Sequence, residues 1–400
     1  MGARIPVDEH AAFVRSLLSG LGARPTERVA LADALGRITA SPVESPIALP
    51  PFRNSQMDGF AVRAADVTDA PVSLPITGEV AAASGAPEAL APGTAVRIMT
   101  GAAVPEGADA VVPVEDTEAD GDDGARVRIL RARSAGEYVR EAGSDLAAGA
   151  DVLPAGLKLA SRHLAAAAAS GLTELLVRER VRIAVVSTGS ELVPPGAPLG
   201  PGEIPDANGV ALAAAARAAG AVVVHEARVR DDTAQFRSEL DTAREAGAEV
   251  VVTSGGVSKG AYEVVRELLE PLGAWVGSVA MQPGGPQATA AYRGMPVIGF
   301  PGNPVSAQLS FELFVAPTLR AIAGLPHAAR ERLALAEPLI SVAGKRQFLR
   351  GRRTDDGRAQ VVGGPGSHLV ASLAASDLLI VVPEDVTALD AGAIVDTVFL

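Results

Sequence analysis

Three loops of small polar residues follow three short apolar stretches of the chain. Val250–Val252 is typical of a strand buried on both faces, and Arg182–Val186 and Pro296–Phe300 lead into similar loops. Backbone N–H groups and hydroxyls in such loops can bind anionic oxygens, and glycine lets a ligand approach the backbone. Because the carboxyl ends of parallel strands meet at one edge of a sheet, we predict a pocket there for a phosphorylated ligand. The predicted pocket residues are Ser187, Thr188, Gly189, Ser254, Gly255, Gly256, Val257, Ser258, Lys259, Pro301, Gly302, Asn303 and Pro304.

Five carboxylates lie in comparable loop contexts. They are Asp58, Asp145, Glu191, Asp206 and Glu263. Acidic residues in these contexts also cap helices and form turns, and Asp206, which precedes a predicted helix, is consistent with either role. If several of them converge on bound phosphates, they would hold Mg²⁺, which prefers hard oxygen ligands and bridges phosphate oxygens.

Two further clusters are open to more than one interpretation. Thr100 precedes a glycine at the end of a predicted strand, and spacing alone favours a plain turn. Arg346, Arg350 and Ser367 form a basic and hydroxyl cluster near the end of the chain. Arginines on a strand most often face solvent, whereas binding of an oxyanion such as molybdate or phosphate is the alternative.

Composition argues against several classes of function. A net charge of −12 argues against a nucleic-acid-binding surface, which needs a basic face. The lack of cysteine excludes disulfides, thiolate nucleophiles and iron–sulfur ligation. The sequence contains neither a P-loop nor a dinucleotide-binding glycine motif. With no apolar signal region and no apolar run that could span a bilayer, we expect a soluble, cytoplasmic protein without a membrane partner.

The elements that must position these residues change along the chain. After a first helix near the N-terminus, a second, short helix is predicted over Leu31–Leu35. Short alternating runs between glycine- and proline-rich turns, over about residues 51–130, predict a small all-β domain. From Val181 onwards strands and helices alternate, with late strands at Trp275–Ala280 and Val297–Phe300, which predicts a doubly wound α/β domain. The remainder of the chain is again β in pattern.

Six motifs, in order along nearly the whole chain, together resemble the molybdopterin molybdenumtransferase family, which comprises the MoeA proteins and the gephyrin E-domain. Any one of the six would be weak evidence, and their common order makes the resemblance strong. The motifs are Asn54-Ser55-Gln56-Met57-Asp58-Gly59-Phe60-Ala61-Val62, Arg97-Ile98-Met99-Thr100-Gly101, Glu106-Gly107-Ala108-Asp109-Ala110-Val111-Val112, Ser187-Thr188-Gly189-Ser190-Glu191-Leu192, Ser254-Gly255-Gly256-Val257-Ser258 and Pro301-Gly302-Asn303-Pro304-Val305-Ser306-Ala307.

The resemblance implies a homodimer with four domains per chain. The implied domain I is elongated and covers residues 1–45 and 137–177, with β domain II, residues 46–136, inserted in it. The α/β domain III, similar to molybdopterin-binding domains, covers 178–326, and the C-terminal β domain IV covers 327–400. The implied reaction inserts molybdenum from molybdate into the dithiolene of adenylylated molybdopterin and releases AMP, with Mg²⁺ present.

The resemblance also implies roles for individual residues. Asp58, Thr100, Asp145, Glu191 and Asp206 match active-site positions of the family, with Glu191 and Asp206 as candidate Mg²⁺ ligands. Asp58 would reach the α/β pocket of the partner subunit. Ser254–Ser258 and Pro301–Pro304 would cradle the phosphate side of the pterin, and Arg350 and Ser367 look like the family's oxyanion contacts.

The chain departs from the family pattern at two places. The family's Asp-Tyr pair after the Ser254–Ser258 motif is missing, because Ala261 precedes Tyr262, and Glu263 is the candidate substitute. Where the family commonly has lysines around a Pro-Gly step, this chain has Gln282 and Gly285. Lys259 is the candidate to restore that positive charge.

The departures leave a second interpretation beside the transferase. A non-catalytic paralogue could bind molybdopterin or its adenylate as a carrier or regulator without inserting metal. Retained Asp58, Glu191 and Asp206 argue against that interpretation. A third interpretation, a receptor-clustering scaffold like gephyrin, has no appended domain or long linker in this sequence to support it.

Overall fold

The computed structural model describes residues 4–83, 85–121, 124–257 and 264–400. The chain forms two compact units, a larger one of Met1–Pro25 with Glu179–Leu400 and a smaller one of Thr26–Arg178. No helix among the described residues is long and apolar enough to cross a membrane.

The larger unit contains a six-stranded sheet with apolar packing on both faces. Its strands, in spatial order, are Val222–Val229, Arg182–Thr188, Val250–Ser254, Met295–Phe300, Pro286–Tyr292 and Trp275–Ser278. The first four are parallel, and the last two join by antiparallel pairing. Ile183 and Val185 pack into the core on one face, whereas Ala184 and Val186 pack into the core on the other. The doubly wound α/β prediction is confirmed.

Capped helices cover this sheet. Asp206 caps one of them by accepting a hydrogen bond from the Gly209 N–H at 2.9 Å, and Asp232 caps Thr233–Glu245 in the same way. A π-helical turn, Phe311–Val315, joins the two helices that follow the Met295–Phe300 strand. The α-helices of the larger unit are Val7–Leu17, Ala207–Ala218, Thr233–Glu245, Val264–Leu269, Pro304–Ser310, Ala316–Ile322 and Val370–Ala374.

The sequence pattern does not predict the Pro286–Tyr292 strand of this sheet. Gln287 and Thr289 are 0% and 2% exposed, so buried polar side chains interrupt the continuous apolar run that would have indicated a strand buried on both faces. Gln287 is accommodated because its side-chain amide donates hydrogen bonds to the Gly284 carbonyl and to Ser310 Oγ, at 2.8 and 2.7 Å.

A second, six-stranded sheet of the larger unit contains most of the C-terminal segment, as the sequence predicts. Leu333, Leu349, Ile380 and Val395 pack in its core. Its strands are Met281–Gln282, Arg346–Arg353, Leu378–Val382, Ile394–Phe399 and Arg330–Ala334, with Ala359–Val361 paired to Arg346–Arg353. Two short pairs complete the unit, Leu192–Val193 with Ile204–Pro205 and Leu339–Ile340 with Ala388–Leu389.

The smaller unit is mainly β. Its six-stranded sheet contains, in spatial order, Ala110–Pro113, Gly59–Val62, Ala95–Ile98, Val72–Val80, Arg126–Ile129 and Thr117–Ala119. Its two-stranded pairs are Thr26–Ala30 with Glu174–Arg178, Val43–Glu44 with Asp151–Leu153, and Asn54–Ser55 with Val139–Arg140. Its α-helix is Ser161–Ala169.

The predicted helix over Leu31–Leu35 is wrong. Only a 3-10 turn, Leu31–Asp33, forms there, because the preceding residues Thr26–Ala30 pair as a strand with Glu174–Arg178. That partner is remote in sequence, so no local pattern reveals it. The exact bounds of the four implied domains stay a prediction, since the elements described above do not fix them.

His10, on the N-terminal helix, is fully buried between two aromatic rings. Its ring centroid lies 5.0 Å from that of Trp275 and 4.7 Å from that of Phe314. Neither ring nitrogen has a hydrogen-bond partner in the part of the chain that the structure describes. Because a charged imidazolium would lose its hydration there, burial lowers the pKa of His10 to about 4.

We expect His10 to make the stability of the fold depend on pH. An unfolded histidine has a pKa of about 6.5, so the unfolded state binds more protons between that pH and about 4, and stability falls as the pH falls through this range. The His10→Phe variant keeps the aromatic packing and should remove roughly 3 kcal/mol of the stability loss between pH 7 and pH 4, at about 1.36 kcal/mol per pKa unit.

Urea unfolding of both proteins at pH 7 and pH 4 measures this difference. The control is His327→Phe, which makes the same substitution at an exposed histidine. If His10→Phe lost as much stability on acidification as the wild type, His10 would not be the titrating group.

Candidate functional site

The three predicted loops meet at the carboxyl edge of the α/β sheet and line a cavity of about 590 Å³. Such a volume suits a medium-sized ligand. The residues from these loops that line it are Thr188, Gly189, Glu191, Gly255, Gly256, Val257, Pro301, Gly302, Asn303 and Ser306. The structure thus brings together most of the predicted pocket.

Glycine is required where the loops touch one another. Gly255 has a φ of +88°, and a Cβ built on it would lie 2.4 Å from the Thr188 carbonyl oxygen. The Gly255 N–H donates to the Phe300 carbonyl at 2.9 Å, which fixes its loop to the neighbouring strand. A Cβ on Gly302 would lie at an ordinary van der Waals distance, 3.5 Å, from the Gly255 Cα, so these two loops are in direct contact. The loops therefore pack backbone against backbone and leave the cavity open above them.

A second cavity, of about 510 Å³, adjoins the first and shares Thr188 and Glu191 with it. Asp206 and Asn208 also line this second cavity, and so does Pro304 from the third loop. Asp206 is only 4% exposed, and its carboxylate lies 3.5 Å from Arg228 Nε as well as capping its helix. The capping interpretation of Asp206 is therefore correct, and one of its oxygens also faces an arginine.

Oxygen donors of the kind that Mg²⁺ binds lie around the second cavity. The Asn208 side-chain amide donates to the Gly302 carbonyl at 2.8 Å, and its Oδ1 is buried without a partner among the described residues. Glu191 and Asp206 supply carboxylate oxygens to the same cavity. Within residues 4–83, 85–121, 124–257 and 264–400, no three acidic or histidine side chains form a metal site by themselves. Magnesium in proteins commonly uses one or two carboxylates and completes its shell with substrate phosphates and water.

Asp231 is a site residue that the sequence analysis missed. It lines the first cavity together with Glu191. Its carboxylate accepts a hydrogen bond from the Ser190 N–H, and its own N–H donates to Ser190 Oγ, both at 3.1 Å. The available signal was its position just after the Val222–Val229 strand, whose carboxyl end lies at the same edge of the sheet.

Two predicted contact residues lie beneath the cavity instead of lining it. Ser187 and Ser254 are 0% and 1% exposed, and their hydroxyl oxygens lie 3.5 Å apart. The Thr188 hydroxyl donates to the Ser254 carbonyl at 3.2 Å. These side chains hold two neighbouring strand ends together.

Arg350 likewise lies beneath the first cavity, where it supports a loop that lines the cavity. It is 1% exposed, and its guanidinium donates hydrogen bonds to the carbonyls of Gly364 and Gly366. Ser367, the next residue of this loop, lines the first cavity, and its carbonyl accepts a hydrogen bond from the Val305 N–H at 3.1 Å. Burial lowers the pKa of Arg350 from its usual value. In this structure, Arg350 supports the loop that presents Ser367.

Asp58, Thr100 and Asp145 belong to the smaller unit. Asp58 Oδ1 accepts hydrogen bonds from both the N–H and the hydroxyl of Thr100, each at 2.7 Å. These bonds, the backbone one first, lower the pKa of Asp58. Asp145 is exposed, and its N–H donates to the Leu49 carbonyl at 2.9 Å. Thr100 is thus more than a plain turn residue, because it fixes the Asp58 carboxylate.

Ser258, Lys259 and Glu263 lie outside the described residues, and their predicted roles stay predictions.

The fold and the cavity define a class of protein: a multidomain chain with an α/β ligand-binding domain whose glycine-rich loops suit a phosphorylated ligand. Three family models match successive parts of it. The MoeA N-terminal region (domain I and II) matches residues 5–171, a probable molybdopterin binding domain matches 184–321, and the MoeA C-terminal region (domain IV) matches 332–400. The chain belongs to the MoeA family.

Known proteins are similar to this chain over nearly its full length. A protein of Mycobacterium tuberculosis named molybdopterin molybdenumtransferase 2 is 44% identical, over 96% of this chain and 97% of its own. A second, molybdopterin molybdenumtransferase 1 of the same organism, is 37% identical, over 93% and 94%. A crystal structure of a molybdopterin biosynthesis MoeA protein from Pyrococcus horikoshii superposes with a TM-score of 0.80 at 33% identity, covering 99% of both chains. The predicted family and fold class are confirmed, and the predicted enzyme of molybdenum cofactor biosynthesis agrees with these names.

The Thr100→Val variant should raise the pKa of Asp58 toward the usual aspartate value, because it removes one of the two donors to Oδ1. NMR titration of the Asp58 carboxyl carbon measures this shift. The control is Thr94→Val, since the Thr94 hydroxyl donates at 2.7 Å to the Ala91 carbonyl and to no carboxylate. An unchanged Asp58 titration in Thr100→Val would contradict the assignment.

The Arg350→Lys variant should loosen the loop that carries Ser367, because lysine cannot donate to two carbonyls with a planar fork. We expect faster hydrogen exchange at the Val305 amide, which bonds to the Ser367 carbonyl. The control is Arg352→Lys on the exposed part of the same strand, where the Arg352 guanidinium donates to the Gln360 side chain. Equal exchange in both variants would show that Arg350 does not hold the loop.

Proposed function

We propose that the chain is a molybdopterin molybdenumtransferase that inserts molybdenum from molybdate into the dithiolene of adenylylated molybdopterin and releases AMP, with Mg²⁺ as cofactor. The observation that carries the proposal is the cavity at the carboxyl edge of the α/β sheet, where Gly255, Gly256 and Gly302 expose backbone to a ligand. The similarity to proteins named molybdopterin molybdenumtransferase supports it.

The glycine-rich loops suit the phosphate side of the substrate. Gly256, Val257 and Gly302 line the cavity, and their small size leaves room for a ligand to reach the main chain. Thr188 borders both cavities, so a ligand with two bridged phosphates could extend from one to the other. In that position the loops would bind and orient the substrate before reaction, which supplies much of the rate in a two-substrate transfer.

The acidic side chains at the two cavities are the reason to expect a bound cation. Glu191 lies at both cavities and Asp231 at the first, so a phosphate bound there without a cation would meet repulsion from carboxylates. Glu191, Asp206 and Asn208 Oδ1, which has no partner among the described residues, would hold Mg²⁺. Bound Mg²⁺ would neutralise charge on the phosphate bridge. Asp206 and Asn208 are fixed for this role, the first by its helix cap and the second by its bond to Gly302.

We also propose a homodimer in which Asp58, held by Thr100, completes the α/β pocket of the partner subunit. This part of the proposal rests on the match of Asp58, Thr100 and Asp145 to the family's active-site positions. A carboxylate already fixed by two hydrogen bonds loses little conformational entropy when it binds a ligand.

The test combines purified protein, adenylylated molybdopterin, Mg²⁺ and molybdate, and measures AMP and active cofactor. Glu191→Gln and Asp206→Asn should each lower AMP release roughly 100-fold, as expected when one electrostatic contact is removed. The control is Glu245→Gln at the exposed end of a helix. Tight binding of the pterin without AMP release by the wild type would overturn the transferase and support the carrier interpretation.

A mixing experiment tests the shared site. Asp58→Asn and Glu191→Gln homodimers should each be nearly inactive, and exchange of their subunits should restore activity, since a mixed dimer contains one site with both native residues. Inactive mixed dimers, verified by differently tagged subunits, would contradict a site shared between subunits.

A further inference from the structure

The first cavity of the larger unit has an uneven distribution of charge. Glu191 and Asp231 supply negative charge to it. The basic side chains that line it, among the described residues, are Arg4 and Lys345. The remaining polar side chains include the hydroxyls of Ser278, Ser306 and Ser367. Near the two cations, an anionic group therefore meets positively charged side chains, whereas near Glu191 and Asp231 it meets negative ones.

Both cations lie beside the segment in which the chain departs from the family pattern. Gln282 and Gly285, the residues found where the family commonly has lysines, line this cavity and carry no charge. Among the described residues, Arg4 and Lys345 are therefore the side chains that can offer positive charge to an oxyanion in this cavity. Arg4 and Lys345 come from segments remote in sequence, one at the N-terminus and one in the C-terminal β segment.

Backbone hydrogen bonds fix Arg4 beside this segment. The N–H of the next residue, Ile5, donates to the Ser278 carbonyl at 3.1 Å, and the Ala280 N–H donates to the Ile5 carbonyl at 2.8 Å. Ile5 thus forms a parallel bridge with Val279. The Arg4 side chain is exposed.

Backbone pairing of the next residue, Arg346, also fixes Lys345 beside the 278–282 segment. The N–H of Arg346 donates to the Ala280 carbonyl at 2.9 Å, and Arg346 pairs with Met281 in a parallel ladder. Arg346 itself is neutralised by Asp8 at 2.8 Å and Glu384 at 3.1 Å. Lys345, which is half-buried, and Arg4 have no hydrogen-bond or ion-pair partner within the described part of the chain. Two uncompensated cations therefore flank the 278–282 segment at the cavity.

Resting on the transferase function proposed above, we propose that Arg4 and Lys345 bind the molybdate substrate and replace the positive charge absent at Gln282 and Gly285. The guanidinium fork of Arg4 suits two oxygens of a tetrahedral oxyanion, and the ammonium of Lys345 supplies a point charge. Hydroxyls of Ser278 and Ser367 donate to the remaining oxygens. The cavity then binds molybdate at its basic side and the cation-bound phosphates near Glu191.

Calorimetric titration of the full-length protein with sodium molybdate at low ionic strength tests the inference. Arg4→Gln and Lys345→Met should each weaken molybdate binding about tenfold, as loss of one charge-assisted contact predicts, and the double variant more. Lys345→Arg keeps the charge and should retain most of the affinity. The matched controls are Arg162→Gln and Lys158→Met in the smaller unit, which should bind as the wild type does, and thermal unfolding verifies that all variants are folded.

Unchanged affinity in both variants overturns the inference, and so does a wild type that binds no molybdate. A loss confined to Lys259→Ala would also overturn it, and would assign the missing charge to that residue. The transferase assay separates this result from the proposed function. If the wild type releases AMP but its molybdate affinity does not change in the Arg4 and Lys345 variants, the proposed transferase function stands and only this inference is wrong.

Discussion

Close packing of backbone at the carboxyl edge of the α/β sheet is the constraint on which the cavity depends. The strands Arg182–Thr188, Val250–Ser254 and Met295–Phe300 are parallel neighbours, so the loops that follow them emerge side by side. A side chain larger than hydrogen does not fit where the first two loops meet: a Cβ on Gly255 would lie 2.4 Å from the Thr188 carbonyl oxygen. The small residues of the motifs are therefore a packing requirement first, and the accessible backbone that a ligand could use follows from it.

The pocket could be predicted from the sequence to the extent that it is built from local pattern. An apolar β-branched run followed by a glycine-rich loop identifies each strand end without reference to the rest of the chain. Arg4 and Lys345 could not be found in this way, because what brings them to the cavity is the pairing of Ile5 with Val279 and of Arg346 with Met281. Pairings between remote segments depend on register, which neither partner displays alone.

Residue type identified the neighbourhood of the site but not the side of the backbone on which each residue lies. Ser187 and the adjacent Thr188 are both buried, at 0% and 5% exposure, but only Thr188 lines the cavity, because successive side chains of a strand point to opposite sides. Arg350 is a similar case. Its charge suggested a contact with an oxyanion, but its side chain is buried and donates a hydrogen bond to a backbone carbonyl. The site therefore has an inner layer of polar side chains that fixes the outer layer, and both are needed for a preorganised pocket.

The aromatic packing of His10 has a consequence for observing this protein in solution. Trp275 is the single tryptophan of the chain, and it begins the strand that leads to Ser278. Its indole is held against the N-terminal helix by His10, five residues after the backbone bridge that fixes Ile5. Indole emission depends on the polarity around the ring, so the intrinsic fluorescence of the protein originates at the junction of the N-terminal segment with the sheet. Detachment of that segment from the edge of the cavity would shift this emission without any added label.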